Sequence, residues 1–153
     1  DIVEGVLGSV ASVVQKSGAN LSSDIGPRPM TVLGNVTALN GAISNLVTNA
    51  IEAGAKNVKI ELVADIKNVM ISVKNDGPMI KPEVSAHIFE PFYTTKSNGT
   101  GLGLAVVAAV AKVHQGDIRL VSNEKETVFT MIIPKYDRVL EPSESFKDEK
   151  SVA

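Results

Sequence analysis

The sequence contains no cysteine. That absence excludes disulfides, thiolate metal sites and a cysteine nucleophile, and it suits a cytoplasmic setting. Aromatic residues make up only 4% of the 153 positions, so a core has to be assembled from Val, Ile, Leu and Ala. Neither sign of charge dominates. A formal net charge of -2 provides no field that would gather nucleic acid or an anionic membrane surface. No apolar run reaches the length of a membrane span. The opening residues, Asp1-Ile2-Val3-Glu4, lack the basic head of a signal peptide. They also lack an initiator methionine, so a piece of a longer protein is expected. What remains, 44% hydrophobic and 21% charged, is an ordinary globular composition at a length that suits one domain.

Apolar residues at Ile2, Val3, Val6, Leu7, Val10, Val13 and Val14 have the spacing of an amphipathic helix over 2–15, which Gly18 can end. Asn20 to Ile25 alternates as a strand, broken by Gly26-Pro27-Arg28-Pro29. Thr31-Val32-Leu33 reads as a brief second strand. Asn35 then suits the N-cap of a helix over 36–53, with Gly54 at its C-terminal end. Val58–Leu62 and Val69–Val73 form one expected hairpin. Residues 75–101 hold most of the Gly, Pro and Asn, and read as loops with a short helix near 82–88. Residues 102–114 are almost continuously apolar, so that helix is expected to be largely buried. Ile118–Ser122 and Thr127–Ile133 form a second hairpin. The expected domain runs over 1–138, with its core at 20–134, and 139–153 is expected to be a disordered tail. Mixed elements without strict strand–helix alternation point to an α+β fold. We expect a two-layer α/β sandwich with a mixed sheet of about five strands covered by three helices.

Three segments carry candidate chemistry. In the helix 36–53, Asn45 and Asn49 lie one turn apart and share a face, with Glu52 a further turn along. Asparagine is a poor helix former, so the pair invites a reason. One reason is a hard-oxygen site for a hydrated Mg2+ beside phosphates; the alternative is a surface helix with two incidental amides. After the strand 69–73 comes Asn75-Asp76-Gly77-Pro78. These are turn formers, and they could equally offer a polar side chain to a base edge, with Gly77 letting a ring approach the backbone. The third segment alternates Gly99, Gly101 and Gly103 before a helix. It matches neither a Walker A loop nor a dinucleotide fingerprint, yet glycines there can free backbone N–H groups for an anion at a helix N-terminus. Thr94, Thr95, Lys96 and Thr100 could add donors and one charge.

Taken in order, these segments resemble the GHKL ATP-binding (Bergerat) fold, and within it the sensor histidine kinases. Asn45 and Asn49 match the N box, the turn at Gly77 matches the first glycine box, Phe89 to Lys96 (FEPFYTTK) matches the F box, and Gly99 to Leu104 (GTGLGL) matches the second glycine box. The resemblance covers roughly residues 20–134. The short loop between Lys96 and Gly99 is most similar to nitrogen-regulation and flagellar-regulation kinases. The resemblance implies ATP and Mg2+ as cofactors, with Asn49 on the metal and Asn45, also catalytic, beside the phosphates. It implies further nucleotide contacts from Asn75, Asp76, Gly77, Ile80, Thr94, Thr95, Lys96, Gly99, Thr100, Gly101, Leu102 and Gly103. A mobile lid over 79–100 would close on the nucleotide, anchored by Phe89 and Phe92.

Two departures stand out. Asn75 occupies the place of the family's adenine-binding Asp, with Asp76 its neighbour, so either side chain could meet the base. Met79 occupies the place of that box's second glycine and is expected to narrow the hinge. The family's hydrolases carry a Glu general base where this chain has Asn45, so the resemblance implies a kinase that holds ATP poised. His87 and His114 lack the setting of a phosphoacceptor and read as structural, with His114 also suited to a cation at a helix C-terminus. The implied partners are a histidine-bearing dimerisation domain of the same kinase and, through the full-length protein, a response regulator. No nucleic-acid or membrane contact is expected, and the fragment itself is expected to be monomeric. The alternatives are a nucleotide-binding regulatory module without catalysis and a serine kinase of the anti-sigma type.

Overall fold

The computed structural model describes residues 2–26, 32, 34–93 and 103–135. The chain begins with helix α1 (Ile2–Ser17), strand β1 (Asn20–Ile25), helix α2 (Val36–Glu52) and the hairpin β2 (Asn57–Ala64) and β3 (Asn68–Asn75). A short helix α3 (Pro82–Ser85), helix α4 (Gly103–Val113) and the hairpin β4 (Asp117–Ser122) and β5 (Thr127–Pro134) follow. The five strands form one mixed sheet in the order β1-β2-β3-β5-β4. Only β1 and β2 run parallel. A parallel pair needs a long crossover, and α2 supplies it.

Alternation within the strands fixes which face is covered. Val58, Ile60 and Leu62 of β2, Val69, Ile71 and Val73 of β3, and Phe129, Met131 and Ile133 of β5 are buried. They meet Leu39, Ala42, Ile43, Leu46, Val47 and Ala50 of α2. The intervening strand residues, among them Lys59, Glu61, Ser72 and Lys74, face the open side. The expected α+β two-layer sandwich is therefore the observed one.

Helix ends follow from local chemistry. The Asn35 side chain accepts from the Ala38 N–H at 3.1 Å, capping α2. At the other end Gly54 takes φ +96°, a left-handed value that glycine adopts without steric cost, and the Ala55 N–H returns to the Ala50 carbonyl. Gly18, at φ +73°, ends α1 in the same way.

Three expectations need correction. Val32 lies in no strand, and Thr31 and Leu33 fall outside the described residues. Helix α4 is not largely buried: Val107 and Ala111 are, whereas Val106 is 46% and Val113 79% exposed. It lies at one side of the helical layer, touching α2, β4 and β5, so one stripe of a nearly all-apolar helix finds a partner. Phe92 does not anchor the segment after β3. It follows Pro91 in a turn at φ +68° and is 75% exposed, so its ring is turned to solvent. Phe89 does pack inward, its ring edge-on to Phe129 with centroids 6.0 Å apart. The expected tail at 139–153 lies outside the described residues.

Candidate functional site

Helix α2 presents three polar amides on two flanks. At 100° per residue, Asn40 falls on one side of the buried stripe and Asn45 and Asn49 on the other. Asn40 faces α1, because a methyl group added at Gly5 would collide with its Nδ2. Asn45 and Asn49 therefore lie on the flank away from α1, and both are half-buried.

His114 determines what faces that flank. The Asn35 N–H donates to His114 Nε2 at 3.0 Å, and Nδ1 lies 2.8 Å from the Val110 carbonyl. An imidazole that accepts at Nε2 is neutral and carries its proton at Nδ1, which it gives to Val110. His114 is thus structural, as expected, but it is a neutral link rather than a cation at the helix end. Its ring rests against Gly34, where a Cβ would overlap it. The link joins the C-terminal end of α4 to the N-terminal end of α2, so the packed helices run in opposite directions. Eleven residues of α4 rise about 16 Å, which brings Gly103 level with the C-terminal half of α2, where Asn45 and Asn49 sit. Among the described residues nothing lies within 4 Å of a Cβ added at Gly103, the first residue of α4, so their packing does not require glycine at this helix N-terminus, a place suited to an anion.

The same end of the sheet holds a polar cluster. Asn75 is 7% exposed and continues the helix-facing series of β3. Its Oδ1 accepts from the Gly77 N–H at 2.9 Å. Opposite it in the ladder is Thr127, 1% exposed. The Thr127 and Ser122 hydroxyls lie 2.6 Å apart, and Ser122 Oγ accepts from the Ile80 N–H at 2.9 Å. Asn75, Gly77 and Ile80 are thereby brought together. Thr127 and Ser122 were missed in the sequence. A strand Thr opposite Asn75 is a signal only once the register is known.

Asp76 has a different position. Its carboxylate accepts from the Asn57 N–H at 2.9 Å, the Asn57 Nδ2 at 2.8 Å and the Lys56 N–H at 2.8 Å. These bonds, those from Asn57 foremost, hold its pKa down at about 2. It lines a groove of about 320 Å³ at this end of the sheet, bordered by Lys59 and Lys74 and by the neighbouring Asn75. Met79 is 44% exposed and fills no gap in the core. Thr94, Thr95, Lys96, Gly99, Thr100, Gly101 and Leu102 lie outside the described residues. Among the described residues no cluster of three or more His, Asp or Glu could hold a metal. The donor set that fits Mg2+ is the amide oxygens of α2, since this ion keeps most of its water and takes phosphate oxygens alongside few protein ligands.

Residues 34–137 match the family model for histidine kinase-, DNA gyrase B- and HSP90-like ATPases. The chain belongs to this family. Among curated members of the ATPase family, the sensor histidine kinase CpxA of Escherichia coli K12 is 34% identical over 120 residues, 74% of this chain and 26% of that protein. The heme sensor protein HssS of Staphylococcus aureus is 38% identical over 109 residues, 67% of this chain and 23% of that protein. The chain thus spans about a quarter of the length of these relatives. The nucleotide-free catalytic domain of histidine kinase ThkA superposes with a TM-score of 0.79 at 32% identity, covering 88% of this chain and 90% of that one. The mycobacterial sensor histidine kinase MprB gives 0.76 at 25% identity, covering 88% and 95%. Within this ATPase fold the chain is a histidine-kinase-type ATP-binding domain. No helix of its described residues is long and apolar enough to cross a membrane.

Proposed function

We propose that this chain binds Mg·ATP and donates the γ-phosphate to a histidine on a separate dimerisation domain of a two-component sensor kinase, which passes it to a response regulator. In that transfer the bond from the γ-phosphorus to the β–γ bridging oxygen breaks, a phosphorus–nitrogen bond forms at the imidazole, and ADP leaves. The observation that carries the reading is the convergence of Asn45, Asn49, the N-terminus of α4 and the Asn75 cluster on one end of the molecule. Asn49 would hold Mg2+, which screens phosphate charge when bound. Asn45 is an amide and cannot take a proton from water, which favours retention of ATP for a partner over hydrolysis. Phosphoryl transfer depends mainly on positioning and charge neutralisation, and Asn45 and the α4 N-terminus supply both. The base stands against Asn75, with Ile80 beneath it, and the domain works on the cytoplasmic side of the cell. The fragment is a monomer.

Calorimetric titration with ATP, with and without Mg2+, tests the reading. Binding should weaken by about tenfold or more in Asn49→Ala or on removing Mg2+. Labelled phosphate should then pass to a supplied histidine-bearing helical hairpin. Asn75, where an acidic residue is expected, favours a second reading, a nucleotide-binding regulatory module. ATP binding with no transfer to the hairpin would establish that one instead.

A further inference from the structure

The orientation of the Asn75 amide has a consequence for which purine the site accepts. The Gly77 N–H lies 2.9 Å from one terminal atom of that amide. Only an oxygen can accept there; a flipped amide would set Nδ2 against the N–H, two donors face to face. Oδ1 is thereby committed to the backbone of its own turn. Nδ2 is left as the outward atom, and no described group accepts from it. A carboxylate at this position would keep the same bond to Gly77 and still offer an acceptor outward. The amide offers a donor.

Adenine carries an amino group at C6, a donor; hypoxanthine and guanine carry a carbonyl oxygen there, an acceptor. We propose that Asn75 sets the base selectivity of this site, so that 6-oxopurine nucleoside triphosphates bind at least as well as ATP. This deepens the nucleotide-binding reading given above and rests on the base standing against Asn75. To bind ATP through this edge the amide must turn over and leave the Gly77 N–H unpaired, or keep its place and set donor against donor. ITP or GTP meets Nδ2 with O6 at no such cost. The rest of the cluster tolerates the change. Going from adenine to hypoxanthine also turns N1 from an acceptor into a donor. The Ser122 and Thr127 hydroxyls, 2.6 Å apart, can exchange donor and acceptor roles, so either form of N1 finds a complement, directly or through water. Ser122 keeps its bond from the Ile80 N–H in both arrangements.

The test is calorimetric titration of the 153-residue chain with ATP, ITP and purine riboside triphosphate, which has hydrogen at C6. It is repeated with Asn75→Asp, a near-isosteric change that preserves the acceptor for Gly77. The unmodified chain should bind ITP as tightly as ATP or more tightly. Purine riboside triphosphate should bind it no more weakly than ATP, because removing the amino group removes a mismatched donor. Asn75→Asp should move the ATP-to-ITP affinity ratio toward ATP by about tenfold or more, the effect of one hydrogen bond made or mismatched in a buried site. If the unmodified chain prefers ATP over both analogues by about tenfold or more, the inference is overturned while the nucleotide-binding reading stands. The comparison of the three nucleotides on the unmodified chain decides this even if Asn75→Asp fails to fold. If no nucleotide binds either protein, with both folded by circular dichroism, the nucleotide-binding reading itself falls and takes this inference with it.

Discussion

Asp76 accepts three hydrogen bonds, two from the backbone N–H groups of Lys56 and Asn57 and one from the Asn57 side chain, and so pins the loop before β2 to the end of β3. Asn75, the last residue of β3, is buried and continues the helix-facing series of that strand, whereas Asp76 lies just past the strand end. The end of β3 thus separates two polar neighbours that the sequence left interchangeable. The Asp76 carboxyl titrates at about 2 when folded, against an ordinary 3.8. A depressed value means the stabilisation is present above the ordinary pKa and is lost as pH falls through the folded one. Melting temperatures measured from pH 6 to pH 2 should therefore fall below about pH 4, and Asp76→Asn should lower the plateau and flatten that fall. An unchanged acid slope in the variant would remove Asp76 as its source. Gly103 supplies the complementary case. A methyl group there meets none of the described residues within 4 Å, and alanine is the better helix former, so Gly103→Ala should melt no lower than the parent. If the glycine serves the close approach of a phosphate, the same variant should lose at least about fivefold in nucleotide affinity. A full-affinity Gly103→Ala would leave that glycine without a binding role.

At the scale of elements, α2 is the scaffold of the site and His114 is what sets α4 against it. The imidazole accepts from the Asn35 N–H at the N-cap of α2 and bonds the Val110 carbonyl of its own helix. Removing it strands a backbone donor and leaves a void beside Gly34. His114→Ala should cost about 2–3 kcal/mol in urea denaturation. It should also weaken nucleotide binding, since the register of α4 places Gly103 opposite Asn45 and Asn49. A variant destabilised by less than about 0.5 kcal/mol would show that helix packing alone fixes α4. The existence of α2 and both hairpins was legible in the sequence, because capping by Asn35, the left-handed turn at Gly54 and the period-two alternation are local features. The burial of α4 was misread for a physical reason. A helix apolar on every side gives no sign of which stripe will be covered, and Val106 and Val113 remain exposed because the helix lies at the side of its layer. Phe92 was misread likewise, since a positive φ after Pro91 leaves no mark in composition.

For the whole molecule, one layer of helices on one face of a five-stranded sheet gives a single core, and Phe129 is the largest fully buried side chain among the described residues. It stands on a strand flanked by β3 and β4 and receives the edge of Phe89, which ties the segment after β3 to the body. Phe129→Ala should cost about 3–5 kcal/mol, a large share of the roughly 5–15 kcal/mol that holds a domain of this size, and should free the Phe89 segment for faster hydrogen exchange. A urea midpoint close to the parent's would mean that the core is not centred there.

The sequence by itself determined the elements other than the strand expected at 31–33, the α+β class and the family, because periodicity, caps and the order of Asn45, Asn49, Gly77 and the glycine-rich segment are properties of neighbours along the chain. Only the tertiary structure decided that Asn75, and not Asp76, faces the helical layer. It also supplied Thr127 and Ser122 as companions of Asn75 and turned His114 from an end-of-helix cation into a neutral link. Each of these depends on which strand lies beside which and on which face is covered. Pairing of β3 with β5 joins residues more than fifty positions apart, and such a register is set by the packing of the sheet as a whole rather than by any local pattern.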